Sequence, residues 1–226
     1  MARRSADRFF SILFLILVVT IPILLHLSVF HSIAYNKAYY EFMFERHEVS
    51  VDNRTEANAQ VISYLSGGDE PLVVMSDREI DHLSDVRERM RAAFFLLLFL
   101  LMLDVLLFVF LFRISREKRS LVTLVSLWSG VLTVLLSVVA GLGAVFFSRA
   151  FGVFHTVLFR EGTWLFPKGS LLISLYPEAF FRETFVFIVA GASLLGVVSL
   201  FVGLLLRSRA HAKVHKRLFA VKKKKR

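Results

Sequence analysis

The sequence predicts an all-α membrane protein with four transmembrane helices, both termini in the cytoplasm and two helical extracytoplasmic segments. Three observations predict it. Hydrophobic residues make up 56% of the 226-residue chain, against about 45–50% in soluble globular domains, and mean hydropathy is +0.65. The apolar excess is gathered into four blocks, each long enough for the roughly 20 helical residues that a bilayer requires. The short connections between blocks are basic. The chain therefore reads as a single integral membrane domain over 1–226.

The first span is placed at 9–30. Arg3, Arg4 and Arg8 precede it, as in a signal peptide. Its apolar run is too long for a signal core and no small-x-small cleavage site follows, so it reads as a retained helix with a kink expected at Pro22. The other spans are placed at 92–112, 121–147 and 184–206. "RISREKR" between the second and third has Arg113, Arg116, Lys118 and Arg119 against Glu117. The tail over 207–226 has no acid. Basic segments stay in the cytoplasm, which leaves 32–91 and 148–183 as the extracytoplasmic segments. The net charge of +10 thus faces anionic lipid rather than nucleic acid. His211 and His215 in the tail have i, i+4 spacing but no acid beside them, and read as solvated.

In the first outer segment "HSIAYNKAYYEFMFERHEV" is expected to continue helically from span one, with Tyr35, Tyr39 and Tyr40 as an interfacial aromatic belt. A short helix should follow and stop at Gly67-Gly68. Ser76 and Glu79 form a capping box, so a helix should start near Asp77 and run without a break into span two. On it, Glu79 and Asp85 lie three residues either side of His82, and both carboxylates can reach the imidazole. That would orient a general base; a solvated amphipathic helix with an incidental histidine has the same spacing.

The second outer segment is apolar but broken by Gly152, Gly162, Pro167, Gly169 and Pro177, as in a segment lying in the membrane interface. Phe151, Phe154, Phe159, Trp164, Phe166, Phe180 and Phe181 supply a broad aromatic surface suited to an acyl chain or glycerol backbone, with Phe154, Phe159, Trp164, Phe180 and Phe181 as the expected lipid contacts. Interfacial anchoring would use the same residues. His155 sits among them, either as a packed, hydrogen-bonded side chain or as a second catalytic group. Within span two, Asp104 is expected to make an interhelical hydrogen bond, with Ser126, Ser129 and Gly130 as neighbours.

The absence of Cys excludes disulfides, thiolate metal sites and a thiol nucleophile. Haem would need facing histidines at matching depth in the spans, and His26 is the one histidine well inside an apolar run. No metal site and no cofactor are expected.

The two outer segments resemble a family of small four-helix bacterial membrane proteins, the lipoprotein intramolecular transacylases. "SDREIDHLSDV" resembles the family's pattern at Ser76, Glu79, His82, Asp85 and Val86. "FGVFHTVLFREGTWLFPKGSLLISLYPEAFF" resembles it at His155, Trp164, Pro177, Phe180 and Phe181. Leu83 stands where the family more often has Met, a conservative departure. The layout covers essentially the whole chain, the motifs about a fifth. The resemblance implies His82 and His155 as the essential pair, and a diacylated bacterial lipoprotein as substrate in the bacterial cytoplasmic membrane. One ester-linked acyl chain would move from the second glycerol position to the α-amino group of the same lipidated cysteine, on the extracytoplasmic side, giving a lyso-form lipoprotein. No external acyl donor is implied.

That chemistry suits the residues. An α-amino group has a pKa of about 7.7–8.0 and must lose a proton to attack, and histidine is a natural acceptor. His82 is the expected base, since carboxylates could orient it, with His155 as donor. Two alternatives stay open on the sequence: a non-enzymatic membrane scaffold or sensor, and an esterase acting on lipids or lipoproteins through the same histidines. Client lipoproteins and oligomeric state are not encoded in any motif.

Overall fold

The computed structural model describes residues 2–69, 71–160 and 162–224, with side chains described from residue 7 to residue 209. His211 and His215 lie outside the described side chains. The described residues form eight helices and no strand: α1 (Ala2–Ala34), α2 (Lys37–Arg46), α3 (Arg54–Ser66), α4 (Asp77–Ile114), α5 (Lys118–Val145), α6 (Phe147–Leu158), α7 (Leu171–Leu175) and α8 (Glu178–Lys224). Four of them, α1, α4, α5 and α8, are long and apolar enough to cross a membrane, as the hydropathy predicts.

Local signals in the sequence set most boundaries. The helix of span one continues only as far as Ala34. It breaks at Tyr35, and Asn36 starts α2 by accepting the Tyr39 amide on its side chain at 3.2 Å. Gly67 ends α3 at φ 108°, a conformation that costs glycine little. Half of the Ser76–Glu79 capping box is made: the Ser76 amide donates to Glu79 Oε2 at 2.9 Å, and the Ser76 hydroxyl donates to the same oxygen at 2.7 Å. From there α4 runs unbroken, its charged first part passing into the apolar run at Ala92. α1 continues through Pro22.

The chain divides into two compact units, and each of the four long helices contributes residues to both. The first comprises 1–26, 99–137 and 191–226. Its core is Leu17, Val18, Leu111, Leu121 and Val125. Here α5 and α8 approach through small residues. A Cβ on Gly130 would meet the Gly196 carbonyl at 2.8 Å, and one on Gly203 would meet Leu127 at 2.7 Å. Close backbone approach of this kind is how apolar helices associate when the surrounding solvent is equally apolar. Ser199 Oγ bonds the Ser126 carbonyl across the same contact at 3.0 Å. Asp104 does make the expected interhelical bond. Its partner, however, is the Thr20 hydroxyl on α1, while Ser129 on α5 turns to Ser199 on α8.

The second unit comprises 27–98 and 138–190. Its core joins α2, α3, the first part of α4, α7 and the start of α8 through Met43, Phe44, Val61, Leu83, Leu175, Tyr176 and Phe180. Tyr39 and Tyr40 belong to this packing rather than to a lipid-facing belt. The Tyr40 ring stacks on Phe180 at 5.6 Å and its hydroxyl bonds the Ala34 carbonyl at 2.9 Å. The Tyr39 hydroxyl bonds Thr184 at 2.8 Å. The core is closed by a buried bond from the Tyr176 hydroxyl to Asn58 Oδ1 at 2.8 Å.

Candidate active site

The second unit brings His82 and His155 together. Their ring centroids lie 6.1 Å apart and the rings are nearly parallel, at 22°. One comes from the second turn of α4, the other from the last turn of α6. Both are buried, at 7% and 8% exposure. Phe159 lies against both rings, 4.9 Å from His82 and 5.2 Å from His155. Trp164 is 5.0 Å and Phe154 5.3 Å from His155. Two further rings of the predicted aromatic surface complete the wall: Phe166 at 5.4 Å from His82 and Phe151 at 4.2 Å from His155. Phe151 stands four residues before His155, one helical turn away on α6. Phe166 arrives through the turns after α6.

Phe154 is 51% exposed and Phe181 38%, so both present open aromatic surface. Phe180 does not. It is 2% exposed and packs among Tyr40, Phe44 and Tyr176, so it supports the site from the core and cannot line it.

Glu79 does not orient His82. Its Oε2 accepts from the Ser76 amide and hydroxyl, at 2.9 and 2.7 Å, and its Oε1 from the Leu172 amide at 2.7 Å. Burial alone would raise its pKa; these bonds outweigh burial and hold it below the ordinary value. Glu79 thus ties the start of α4 to the start of α7. Asp85 acts on His82 through its charge alone and pairs with Arg160 at 3.5 Å. The carboxylate-oriented imidazole expected from the i±3 spacing is absent from this structure.

The two imidazoles have opposite hydrogen-bonding status. His155 Nδ1 lies 2.7 Å from the Phe151 carbonyl. A carbonyl only accepts, so Nδ1 carries the hydrogen and Nε2 the lone pair. His82 Nδ1 is buried with no partner among the described residues. A buried N–H without an acceptor is costlier than a buried lone pair without a donor, which favours hydrogen on His82 Nε2. The site therefore pairs one ring whose free nitrogen accepts with one whose free nitrogen donates. Burial disfavours the charged form of both rings. Burial, then the nearby His155, pulls the His82 pKa down to about 4, against an upward pull from Asp85. Burial also lowers His155, opposed by the bond to Phe151.

Three arginines hold the loop after α6 onto α4. Arg89 Nε bonds the Leu158 carbonyl at 3.1 Å, Arg78 bonds the Gly162 carbonyl at 2.6 Å, and Arg160 reaches Asp85. They span the stretch that delivers Phe159 and Trp164. Among the described residues no three His, Cys, Asp or Glu side chains converge as a metal site would need.

The fold and this pair define a multi-pass, all-helical membrane protein with a buried imidazole pair walled by aromatic rings. The chain belongs to the lipoprotein intramolecular transacylase (Lit) family, a family of acyltransferases, whose sequence model matches residues 8–181. The resemblance carried by the two motifs is thereby borne out. The fold is that of the membrane-integral transacylase Lit of Bacillus cereus, solved in meso. The TM-score is 0.78 at 20% identity, over 91% of this chain and 99% of that one. Structures of the same protein with one histidine replaced by arginine or by alanine give 0.76 and 0.77, each at 19% identity and covering 94% of this chain and 100% of that one. A curated relative, an uncharacterized protein of Aquifex aeolicus (strain VF5), is 33% identical over 131 residues, 58% of this chain. The match spans 56% of that relative's length.

Proposed function

We propose that this protein moves an acyl chain within a single diacylglyceryl-cysteine lipoprotein, from the glycerol's second-position ester to the cysteine's own α-amino group. The observation that carries the proposal is the near-parallel histidine pair, 6.1 Å between ring centres, with one accepting and one donating nitrogen. Family membership supports it and argues against the scaffold or sensor reading.

The roles follow from the tautomers and reverse the expectation from spacing. His155, its Nδ1–H given to Phe151, offers its Nε2 lone pair to the attacking amine as general base. His82 donates from Nε2 to the ester carbonyl oxygen as negative charge gathers there. The new N–C bond forms, the ester C–O bond breaks, and the proton taken from nitrogen returns to the glycerol oxygen. Amine and ester belong to one molecule, so positioning alone can contribute roughly 7–11 kcal/mol. Phe154, Phe159, Trp164 and Phe181 would receive the acyl chain and glycerol backbone. The basic connections support placing the pair at the extracytoplasmic leaflet, and family membership supports a bacterial cytoplasmic membrane.

A crossover experiment tests this. Two synthetic diacylglyceryl-cysteine peptides, differing in peptide sequence and carrying isotopically different acyl chains, are incubated together with the full chain in detergent. The transfer conserves mass, so products are read by fragmentation and by loss of the reactive amine. N-acylated peptides that all keep their own label are expected. Label exchange would sink the intramolecular step. Loss of one acyl chain with the amine still free would show ester hydrolysis instead.

A further inference from the structure

A groove lies on another side of α4 from His82, within the same unit as the histidine pair. At about 100° per helical residue, Arg87 and Arg91 point roughly 140° and 180° away from His82 around the helix axis. With Tyr35, Leu65, Gly67, Phe94 and Phe95 they line a cavity of about 300 Å³. The Arg87 guanidinium rests over the Tyr64 ring at 4.7 Å. The ion pairs among the described residues are Arg46–Glu183, His47–Glu183 and Arg160–Asp85, and none engages Arg87 or Arg91. Arg91 is the last charged residue before the apolar run that begins at Ala92. Phe94 and Phe95, 43% and 61% exposed, open from the groove into that run. Beside them His31, 5.8 Å from Phe94, buries an Nε2 with no partner among the described residues.

The groove is thus cationic where the helix leaves water and aromatic where it enters lipid. We propose that it binds the phosphate headgroup of an anionic phospholipid, independently of the acyl-transfer reading. Two arginines one turn apart match a phosphate, since a guanidinium fork meets its oxygens in bidentate fashion. Phe94 and Phe95 lie where the upper acyl segments would run. A neutral glycerolipid would leave both guanidiniums without an anion. A free phosphate would leave the aromatic half of the groove without a contact. The diacylglyceryl peptide of the proposed reaction carries no phosphate on its lipid, so it is a different ligand.

Native mass spectrometry of the full chain in detergent tests this, with titrated phosphatidylglycerol, diacylglycerol and inorganic phosphate as probes. Retention of phosphatidylglycerol is expected in wild type, weakened roughly thirtyfold in R87Q/R91Q from the loss of two arginines near an anionic headgroup. Diacylglycerol should not be retained, and inorganic phosphate should not displace the phospholipid. Undiminished retention by R87Q/R91Q, with elution and melting temperature as in wild type, would overturn the proposal. Displacement by inorganic phosphate would overturn the lipid as source in favour of a free anion. If the glutamine pair does not fold, wild type alone decides: equal retention of diacylglycerol and phosphatidylglycerol overturns it.

Discussion

Glutamine substitution should separate the two histidines, because a side-chain amide can donate a hydrogen bond but cannot carry away a proton. His82, in the proposed role, supplies a hydrogen from Nε2. Gln places an N–H at a similar distance from the backbone, whereas Ala places nothing there. Removing one oxyanion donor typically costs about 100- to 1,000-fold in rate, about 2.7–4 kcal/mol. His82→Ala should fall in that range, and His82→Gln should recover at least about tenfold of it, about 1.4 kcal/mol. His155 supplies a lone pair, and general-base catalysis is worth about 100- to 10,000-fold. His155→Ala and His155→Gln should both lose that factor, with no recovery in the glutamine variant.

Packing must be separated from chemistry at His155, whose ring touches Phe151, Phe154, Phe159 and Trp164. His155→Asn serves here, since its amide N–H can keep the bond to the Phe151 carbonyl while the basic nitrogen is gone. Single-turnover loss of the free amine from a diacylglyceryl-cysteine peptide is the assay, with melting temperature recorded for each variant. Recovery by His155→Gln together with none by His82→Gln would refute the assigned roles. A fully active His155→Asn would refute the base.

Four further outcomes follow. As pH falls from 8 to 6.5 the rate should fall, the slope approaching one below the substrate amine's pKa of about 7.7–8.0 as that amine becomes protonated. With both rings lowered from the ordinary histidine value, an enzyme inflection at or above 6.5 in the pH–rate profile would contradict neutral imidazoles. The folded pKa of His82, about 4, lies below its unfolded value, so its contribution to stability is full above about 6.5 and is lost as pH falls toward 4; melting scans of wild type against His82→Gln should converge across that window. Glu79→Ala should leave the Leu172 amide unsatisfied and cost about 1–3 kcal/mol, read as a lower melting temperature. Gly203→Leu should separate α5 from α8 and destabilise the fold, whereas Leu204→Ala, at a lipid-exposed position, should be nearly silent in the same melting assay.

The four spans were legible because each is a local property, an apolar run of sufficient length. So were the stop at Gly67 and the Ser76–Glu79 cap, both set by a few adjacent residues. The family motifs singled out His82 and His155, and the fold brings their rings together. Spacing misled at Glu79, where an i−3 neighbour can reach the imidazole yet is claimed by its own cap and by the Leu172 amide, 93 residues away. The same limit applies to Phe180, which looks like open aromatic surface until Tyr40, Phe44 and Tyr176 close around it. Asp104 needed a partner, and the sequence showed that; which helix supplies it depends on tertiary packing. Arg78 and Arg89 gave no signal, because their partners are backbone carbonyls and any residue offers one.

The aromatic wall gives a physical reason for transfer over hydrolysis in the proposed reaction. An attacking water would have to enter a space where both imidazoles are more than nine-tenths covered and are walled by Phe151, Phe154, Phe159, Trp164 and Phe166. The substrate's amine arrives tethered to the ester and needs no such site. Excluding water also strengthens the hydrogen bond that His82 would give the developing oxyanion, since the effective dielectric falls. The lowered histidine pKa values are the counterpart of that exclusion: a buried ring favours its neutral form, which leaves one lone pair and one N–H ready without prior proton loss. Phe159→Ser and Phe166→Ser, which open the wall without touching either ring nitrogen, should therefore raise the ratio of free acid to N-acyl product. If both variants lose rate with that ratio unchanged, the wall only positions the rings and water exclusion must come from the bound substrate itself.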